Sequence, residues 1–488
     1  MFEISPEFYY VIVGYFVMVL GIGLWAGKNN KTSEDHLVAG RSIGPVVGGA
    51  ALAATQMSAG TFVGTMGVHY LTGASYIWFW PGLWLGWLVS AIWVAPKFQK
   101  FKGGVTVPDY VEKRYNSKTA KVISAVLIIV AYTVYLIAQY VAGGIVMQTI
   151  FGIPMAWGAF ITIAVTMVYT LKGGMKATAY SDFVQALIMA GCFIAAIPLL
   201  FQQAGGIDFV GNFLTDLNSS LTGWQYGFKD LIGFAAAFGF SMAIAPYELA
   251  RMYSMRDEKT VRYAIGFSFV FQMIVAFSVA LGGMVMRSMF PALNSGDSAS
   301  SIMAINVLPP IVGALLMVAI LASIMSTVSG VMLVSASGIS HDIYGVINPK
   351  ATDKQKMLVN RISVMILALL PLYFALNPFD MVQFIVMAQA SLVASFFFAI
   401  VLIGLNWKRA TTAGALASMI GGVVTVIIWL FVLDKPYGIN EVIPGVLVST
   451  ILLIAVSLFT KPVPKASLEP FFPDLQNGNL VRNKSEIG

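Results

Sequence analysis

The sequence predicts an all-α polytopic membrane protein with thirteen transmembrane helices, and three observations predict it. Of 488 residues, 58% are apolar and only 10% are charged, against about 25% charged in an ordinary soluble domain. Apolar stretches long enough to cross a hydrocarbon core about 30 Å thick recur along the whole chain. All but three of the 29 Lys and Arg residues fall in alternate loops, which is a topology signal rather than a nucleic-acid footprint.

Taken in order, the first span covers 7–26. Glu3 and Glu7 stand where a signal peptide would be basic and no convincing cleavage site follows, so it reads as a retained span. Spans then follow at 44–72, 74–96, 120–149, 154–172, 178–201 and 230–250, and at 261–287, 306–340, 357–377, 379–404, 411–433 and 440–460, each bounded by charged or Gly/Pro-rich punctuation. An odd number puts the termini on opposite sides. With the N-terminus outside, only Lys229, Arg287 and Lys435 lie outside, so the positive-inside rule sets the orientation. Residues 1–461 form one transmembrane unit. Residues 462–488, with Pro462, Pro464, Pro470 and Pro473 among polar residues, read as a disordered cytoplasmic tail. Segment 202–229 and the stretch from Asn294 to Ser301 read as solvated loops, and Asn-x-Ser/Thr matches at Asn30, Asn218 and Asn483 are weak. The single cysteine, Cys192, lies in an apolar run and reads as a packing residue, which excludes an intrachain disulfide or a Cys-based metal site.

Ionisable groups at mid-membrane cost about 2.5–3.5 kcal/mol even on the lenient insertion scale. Here they are few: Asp182 just inside a span, Glu248 and Arg251 at the inner end of another, and Arg287 at an outer end. His36, His69 and His341 all fall at span ends or in loops, which disfavours a proton relay. A cation held at mid-depth must therefore be coordinated mainly by neutral oxygens: freed carbonyls, hydroxyls and helix C-termini.

Two stretches can supply such oxygens. The span 44–72 carries an uninterrupted run of small and hydroxylic residues from Gly48 to Thr61. It reads either as close small-residue packing or as a helix that breaks and frees carbonyls near Ala54 and Met57. Within 306–340, Ser323, Ser326 and Thr327 share one helical face; they can point at a ligand or bond back to their own helix. Spans 44–201 and 230–404 each contain five helices, and an odd-numbered unit repeated in tandem is inverted in the membrane. Gly233, Gly239, Ala243, Ala245 and Pro246 mark a second interruption in the first helix of the second unit.

At these residues the chain resembles the sodium/solute symporter family, most of all its branch of proline, pantothenate and monocarboxylate symporters. The resemblance covers roughly 7–460. It rests on Gly40-Arg41-Ser42, Ala54-Thr55-Gln56-Met57-Ser58, Gly173-Gly174, Ser181-Asp182-Phe183-Val184-Gln185, the stretch from Pro246 to Arg251, and Ile324-Met325-Ser326-Thr327. It implies a leucine-transporter-like 5+5 inverted repeat. Sodium would sit between the first and eighth core helices, on the carbonyls of Ala54, Met57 and Ser323 and the hydroxyls of Ser326 and Thr327. Some relatives hold a second sodium on the counterpart of Asp182 and successive hydroxyls. Here Ser329 is present but Gly330 replaces the next one, so one sodium is expected, and Asp182 reads equally as a structural carboxylate. For the organic solute, the resemblance implies Gln56, Ser58 and Thr61, Tyr135, and Phe238 and Met242; Tyr135 and Phe238 read equally as packing aromatics. Proline carriers usually have Asp where Gln56 stands and His where Tyr247 stands, which tilts the expectation toward a small monocarboxylate or pantothenate-like acid. Half-helix N-termini could bind its carboxylate without an Arg.

The expected function is sodium-coupled secondary active symport of a small organic solute, a monocarboxylate, pantothenate-like acid or amino acid, by alternating access across the cell membrane. Sodium is the coupling ion; lipids and the solute are the partners, with no nucleic acid and no obligate protein. A proton-coupled symporter of the same fold is the alternative, and a passive channel a more remote one. An enzyme is disfavoured because no nucleophile–base pair is visible and Gly21-x-Gly23 does not complete a phosphate loop. One sodium moved down 100 mV and a tenfold gradient supplies about 3.7 kcal/mol, enough for about 500-fold accumulation of a neutral solute.

Overall fold

Backbone polar groups in a bilayer must bond within their own segment, and this chain answers with helices throughout. The computed structural model describes residues 4–27, 33–101, 104–208, 211–212, 226–472 and 474–475. Helix accounts for 85% of the described residues, and an isolated bridge between Ile43 and Met255 is the β pairing among them. The middle of the 202–229 loop, the basic residues Lys28, Lys31, Lys102, Arg482 and Lys484, and Asn30, Asn218 and Asn483 lie outside the described residues.

The main helices are α1 (Pro6–Gly27), α2 (Pro45–Gln56), α3 (Met66–Thr72), α4 (Phe79–Val89), α5 (Val107–Tyr115), α6 (Lys118–Phe151), α7 (Met155–Gln203) and α8 (Phe228–Met242). They are followed by α9 (Pro246–Ser254), α10 (Glu258–Met289), α11 (Pro310–Ser337), α12 (Asp353–Ala375), α13 (Val382–Phe398), α14 (Thr412–Phe431), α15 (Val442–Phe459) and α16 (Lys465–Leu468). Eleven helical runs are long and apolar enough to cross a membrane. Two of them, Gly60–Gln99 and Met155–Gln203, each hold two of the stretches separated in the sequence. The divisions are single residues in conformations only glycine adopts easily: Gly73 at φ 66° and Gly174 at φ 55°. At Gly174 a side chain would also strike His36, with the carbonyl oxygen 2.5 Å and Nδ1 2.6 Å from a Cβ. Each turn is so short that one helical run continues where the sequence shows two.

Local signals set the other boundaries. Thr106 caps α5 in a capping box with Asp109, and Thr352 caps α12 with Gln355. Ser117, Asp257 and Thr411 cap α6, α10 and α14. Between α2 and the π-helical turn Gly60–Thr65 the chain is interrupted: Met57 turns extended, at φ −85° and ψ 105°. Between α8 and α9 the interruption spans Ala243 to Ala245, because Pro246 lacks an N–H and pushes Ala245 out of the α region, to ψ 116°. So the small-residue run 48–61 does break.

The half-helix α2 packs against α10, α7 and α11, and α11 is buried along its whole middle. Glycines set the closest approaches: a methyl at Gly64 would lie 2.8 Å from the Gln383 backbone nitrogen. Beyond Pro462, where disorder is expected, the described part instead packs. Phe471 is buried against Phe101 and Tyr110, and Lys408 pairs with Asp474. Two adjacent phenylalanines outweigh the polar composition around them; residues 476–488 lie outside the described ones.

Candidate functional site

The two interruptions meet α11 and α6 at the centre of the bundle. Ser326 on α11 has its hydroxyl 2.9 Å from the Ala54 carbonyl across the interface and 2.9 Å from the Ser323 carbonyl on its own helix. One hydroxyl proton can satisfy only one of these acceptors at a time. Thr327 donates to the Thr55 carbonyl at 3.3 Å. Ala54, Met57, Ser323, Ser326 and Thr327 are all fully or almost fully buried. Ser326 thus joins the Ala54 and Ser323 oxygens, Thr327 makes the neighbouring contact to Thr55, and Met57 sits at the adjoining helix end. Hard monovalent or divalent cations prefer such oxygens.

Beside it lies a cavity of about 50 Å³, space for a few water molecules. Gln56, Ser58, Thr61, Tyr135, Phe238 and Met242, the six residues inferred for the organic solute, all line it. The sequence reading missed the rest of the wall, notably Tyr247, Gln383 and Gln389. Gln56 Oε1 accepts from Ser268 Oγ at 2.5 Å and from Gln272 Nε2, which fixes the amide and leaves its Nε2 without a partner. Gln383 donates to Tyr76 at 2.8 Å and keeps an unpartnered Oε1. Gln139 Oε1 accepts from the Ala59 N–H at 3.0 Å, holding the start of the second half-helix. Several membrane-embedded glutamines were the available signal, since buried amides need partners.

The charged residues differ from expectation. Arg251 and Glu248, placed at a span end by the sequence, are buried at 2% and 1% exposure. The break at Ala243–Ala245 lets α9 begin inside the bundle rather than at its edge. Arg251 Nη2 forms an ion pair with Asp182 Oδ2 at 2.6 Å. Gly330 makes room for it, because a Cβ there would stand 3.0 Å from Arg251 Nη2. Ser329, the other residue considered for a second ion, donates to the Ser326 carbonyl at 3.0 Å. At one end of the bundle, Lys121 Nζ reaches Asp109 at 2.5 Å and Glu112 at 2.9 Å, while Thr106 donates to Asp342 at 2.6 Å, tying α5 to α6 and to the segment after α11. His341 and Lys121 hold the buried Asp109 carboxyl below the usual carboxylate range despite its desolvation.

A membrane bundle with two interrupted helices around a central cavity of mixed polar and apolar lining is the architecture of a secondary transporter. Solved structures with the same fold include a Na+-coupled sialic acid symporter in a substrate-bound outward-open state, at TM-score 0.81 and 18% identity, covering 95% of this chain and 100% of that one. The nucleobase-cation-symport-1 family transporter Mhp1 aligns at TM-score 0.59 and 12% identity, over 89% and 97% of the two chains. These likenesses show a leucine-transporter-type fold. The model of the sodium:solute symporter family matches residues 36–422. The osmoregulated proline transporter OpuE of Bacillus subtilis is 31% identical, over 94% of this chain and 96% of its own. A sodium/proline symporter of Staphylococcus aureus is 30% identical, over 98% and 96%. The chain belongs to the sodium:solute symporter family: it is a multi-pass membrane transporter and not an enzyme.

Proposed function

We propose that the protein couples the entry of one sodium ion to the import of one small zwitterionic amino or imino acid, proline foremost, by alternating access. The observation that carries the reading is the pair of hydroxyl contacts from Ser326 and Thr327 to the carbonyls of the broken helix, directly beside the cavity. Relatives named for proline, with 30–31% identity along the whole chain, support the solute class over the acids favoured by the sequence.

In this mechanism sodium enters among the Ala54, Met57 and Ser323 carbonyls and the Ser326 and Thr327 hydroxyls. It replaces weak hydrogen bonds between α2 and α11 with ion–oxygen bonds and fixes the half-helix that carries Gln56 and Ser58. The solute then meets a formed wall. The eleven apolar runs, two of them divided at Gly73 and Gly174, make thirteen crossings, with the five-helix units inverted, the N-terminus outside and the C-terminus in the cytoplasm of a cell-membrane protein. Because Arg251 already neutralises Asp182 where a second ion would need that carboxylate, the stoichiometry is one sodium. Uptake of labelled L-proline and a panel of amino acids and carboxylates into proteoliposomes, with and without an imposed sodium gradient, tests the reading. Accumulation driven by the gradient is expected; sodium-independent uptake of every solute transported would overturn it.

A further inference from the structure

Glu248 is a membrane-buried carboxylate, 1% exposed, whose oxygens make no hydrogen bond of good geometry although the Gln56 and Tyr247 side chains come within reach of it. It stands immediately behind the cavity wall, within electrostatic reach of Gln56, Tyr247 and Arg251, and its charge is also felt by Tyr132 and Tyr135. Gln56, Tyr135 and Tyr247 line the cavity. Glu248 is the third residue of a nine-residue half-helix, where the helix dipole favours an anion. It does not use that place to cap its own helix, since its oxygens accept no backbone N–H. A buried charge without well-formed hydrogen bonds is costly to keep, and such residues in membrane segments are held for a ligand or ion.

The charge count around the site is uneven. Arg251 is committed to Asp182 at 2.6 Å, leaving two buried carboxylates facing a single guanidinium. The unpartnered Gln56 Nε2 lies on the same side as Glu248, and the rings of Tyr132, Tyr135 and Tyr247 cluster there, with centroids 5.8 and 6.2 Å apart. Aromatic faces backed by a carboxylate form an environment for an organic ammonium. Gln56 itself carries no charge, so among the described residues touching the cavity no anion is present.

We propose that Glu248 is the specificity-determining counter-charge for the amine of the transported solute, so that the site selects amino or imino acids over amine-free carboxylic acids. This rests on the solute-symport reading above and names the group that sets its solute class. The carboxylate acts from the second interrupted helix, beside the Gln56 amide carried by the first.

The experiment compares purified wild-type protein and Glu248→Gln, at saturating sodium, for binding of L-proline and of tetrahydro-2-furoate, in which an ether oxygen replaces the ring amine. Wild type should prefer proline by at least tenfold. Glu248→Gln should lose tenfold or more in proline affinity while furoate affinity stays constant or improves, and sodium-dependent thermal stabilisation should persist. If that variant does not fold, Glu248→Asp, which retracts the carboxylate by one methylene, should show the same selective loss for proline. Equal losses for both ligands, or none, overturn the proposal, as does a variant that changes only the pH dependence of transport, which would mark a proton site. Wild type that binds none of the standard amino acids overturns it too; sodium-driven uptake of a carboxylate by the same preparation would leave the symport reading standing.

Discussion

Replacing Ser326 by alanine tests the sodium site without reference to the solute. The hydroxyl lies 2.9 Å from two carbonyls on different helices, so Ser326→Ala removes one proposed ion ligand and the contact that aligns a second. A hydrogen bond to a charged group contributes about 1.5–3 kcal/mol, and at 1.36 kcal/mol per decade that is about a 10- to 150-fold rise in the sodium concentration for half-saturation. The Thr327 contact is longer, 3.3 Å, so Thr327→Ala should fall at the lower end of the range. The assay is the melting temperature of the purified protein against sodium at constant ionic strength, with choline as the replacement ion. Because all the residues concerned are buried, the ionic-strength control separates ligation from screening. An unchanged sodium midpoint in both variants would remove α11 from the site and refute the reasoning.

Breaking the buried Asp182–Arg251 pair by Arg251→Met should cost about 3–5 kcal/mol, and the double change with Asp182→Asn should recover most of it; equal destabilisation of single and double variants, read as melting temperature, would contradict the pairing. Gly64→Ala places a methyl 2.8 Å from the Gln383 nitrogen and 3.0 Å from its Cα, so melting should fall in line with about 1–3 kcal/mol of overpacking; an unaltered melting temperature would refute it. Asp297, outside the apolar runs, is pushed up to about 6, first by burial and then by Asp380, against the Val382 N–H it accepts. Its protonated form favours the native state, so this contribution to stability is full below about pH 4 and is lost as pH rises to about 6, by about 3 kcal/mol at most. Asp297→Asn should flatten that part of the stability profile, and an unchanged slope would contradict the assignment.

Helix positions were legible because apolar length and basic loops follow from bilayer thickness, a strong constraint on any sequence. The interruptions were legible only as alternatives. Small residues such as Gly48 to Ala54 suit close packing as well as breakage, and only tertiary contact with α11 and α10 decides between them. The division at Gly73 was placed to the residue, whereas that at Gly174 was read as a gap over 173–177 and proves to turn on one glycine. Glu248 and Arg251 do stand near the end of the Phe228–Ser254 run, but their burial was not legible, because it is set by neighbouring helices rather than by the run itself. The packed Phe471 was hidden by its polar neighbours, since a disorder reading averages composition over a window.

The uneven charge at the centre bears on coupling. With both carboxylates ionised, Asp182 and Glu248 against Arg251 would leave one net negative charge in the core, which the single sodium proposed above would balance. A zwitterion adds none, so a fully loaded core is neutral while a core holding solute without sodium keeps its unbalanced charge. Moving an unbalanced buried charge through a rearranging low-dielectric interior is costly, which penalises the half-loaded transition that would let solute slip without the ion. The neutral oxygens of Ser326 and Thr327 therefore serve two ends at once. In the proposed mechanism they would bind sodium without contributing charge of their own, leaving the charge count to Glu248.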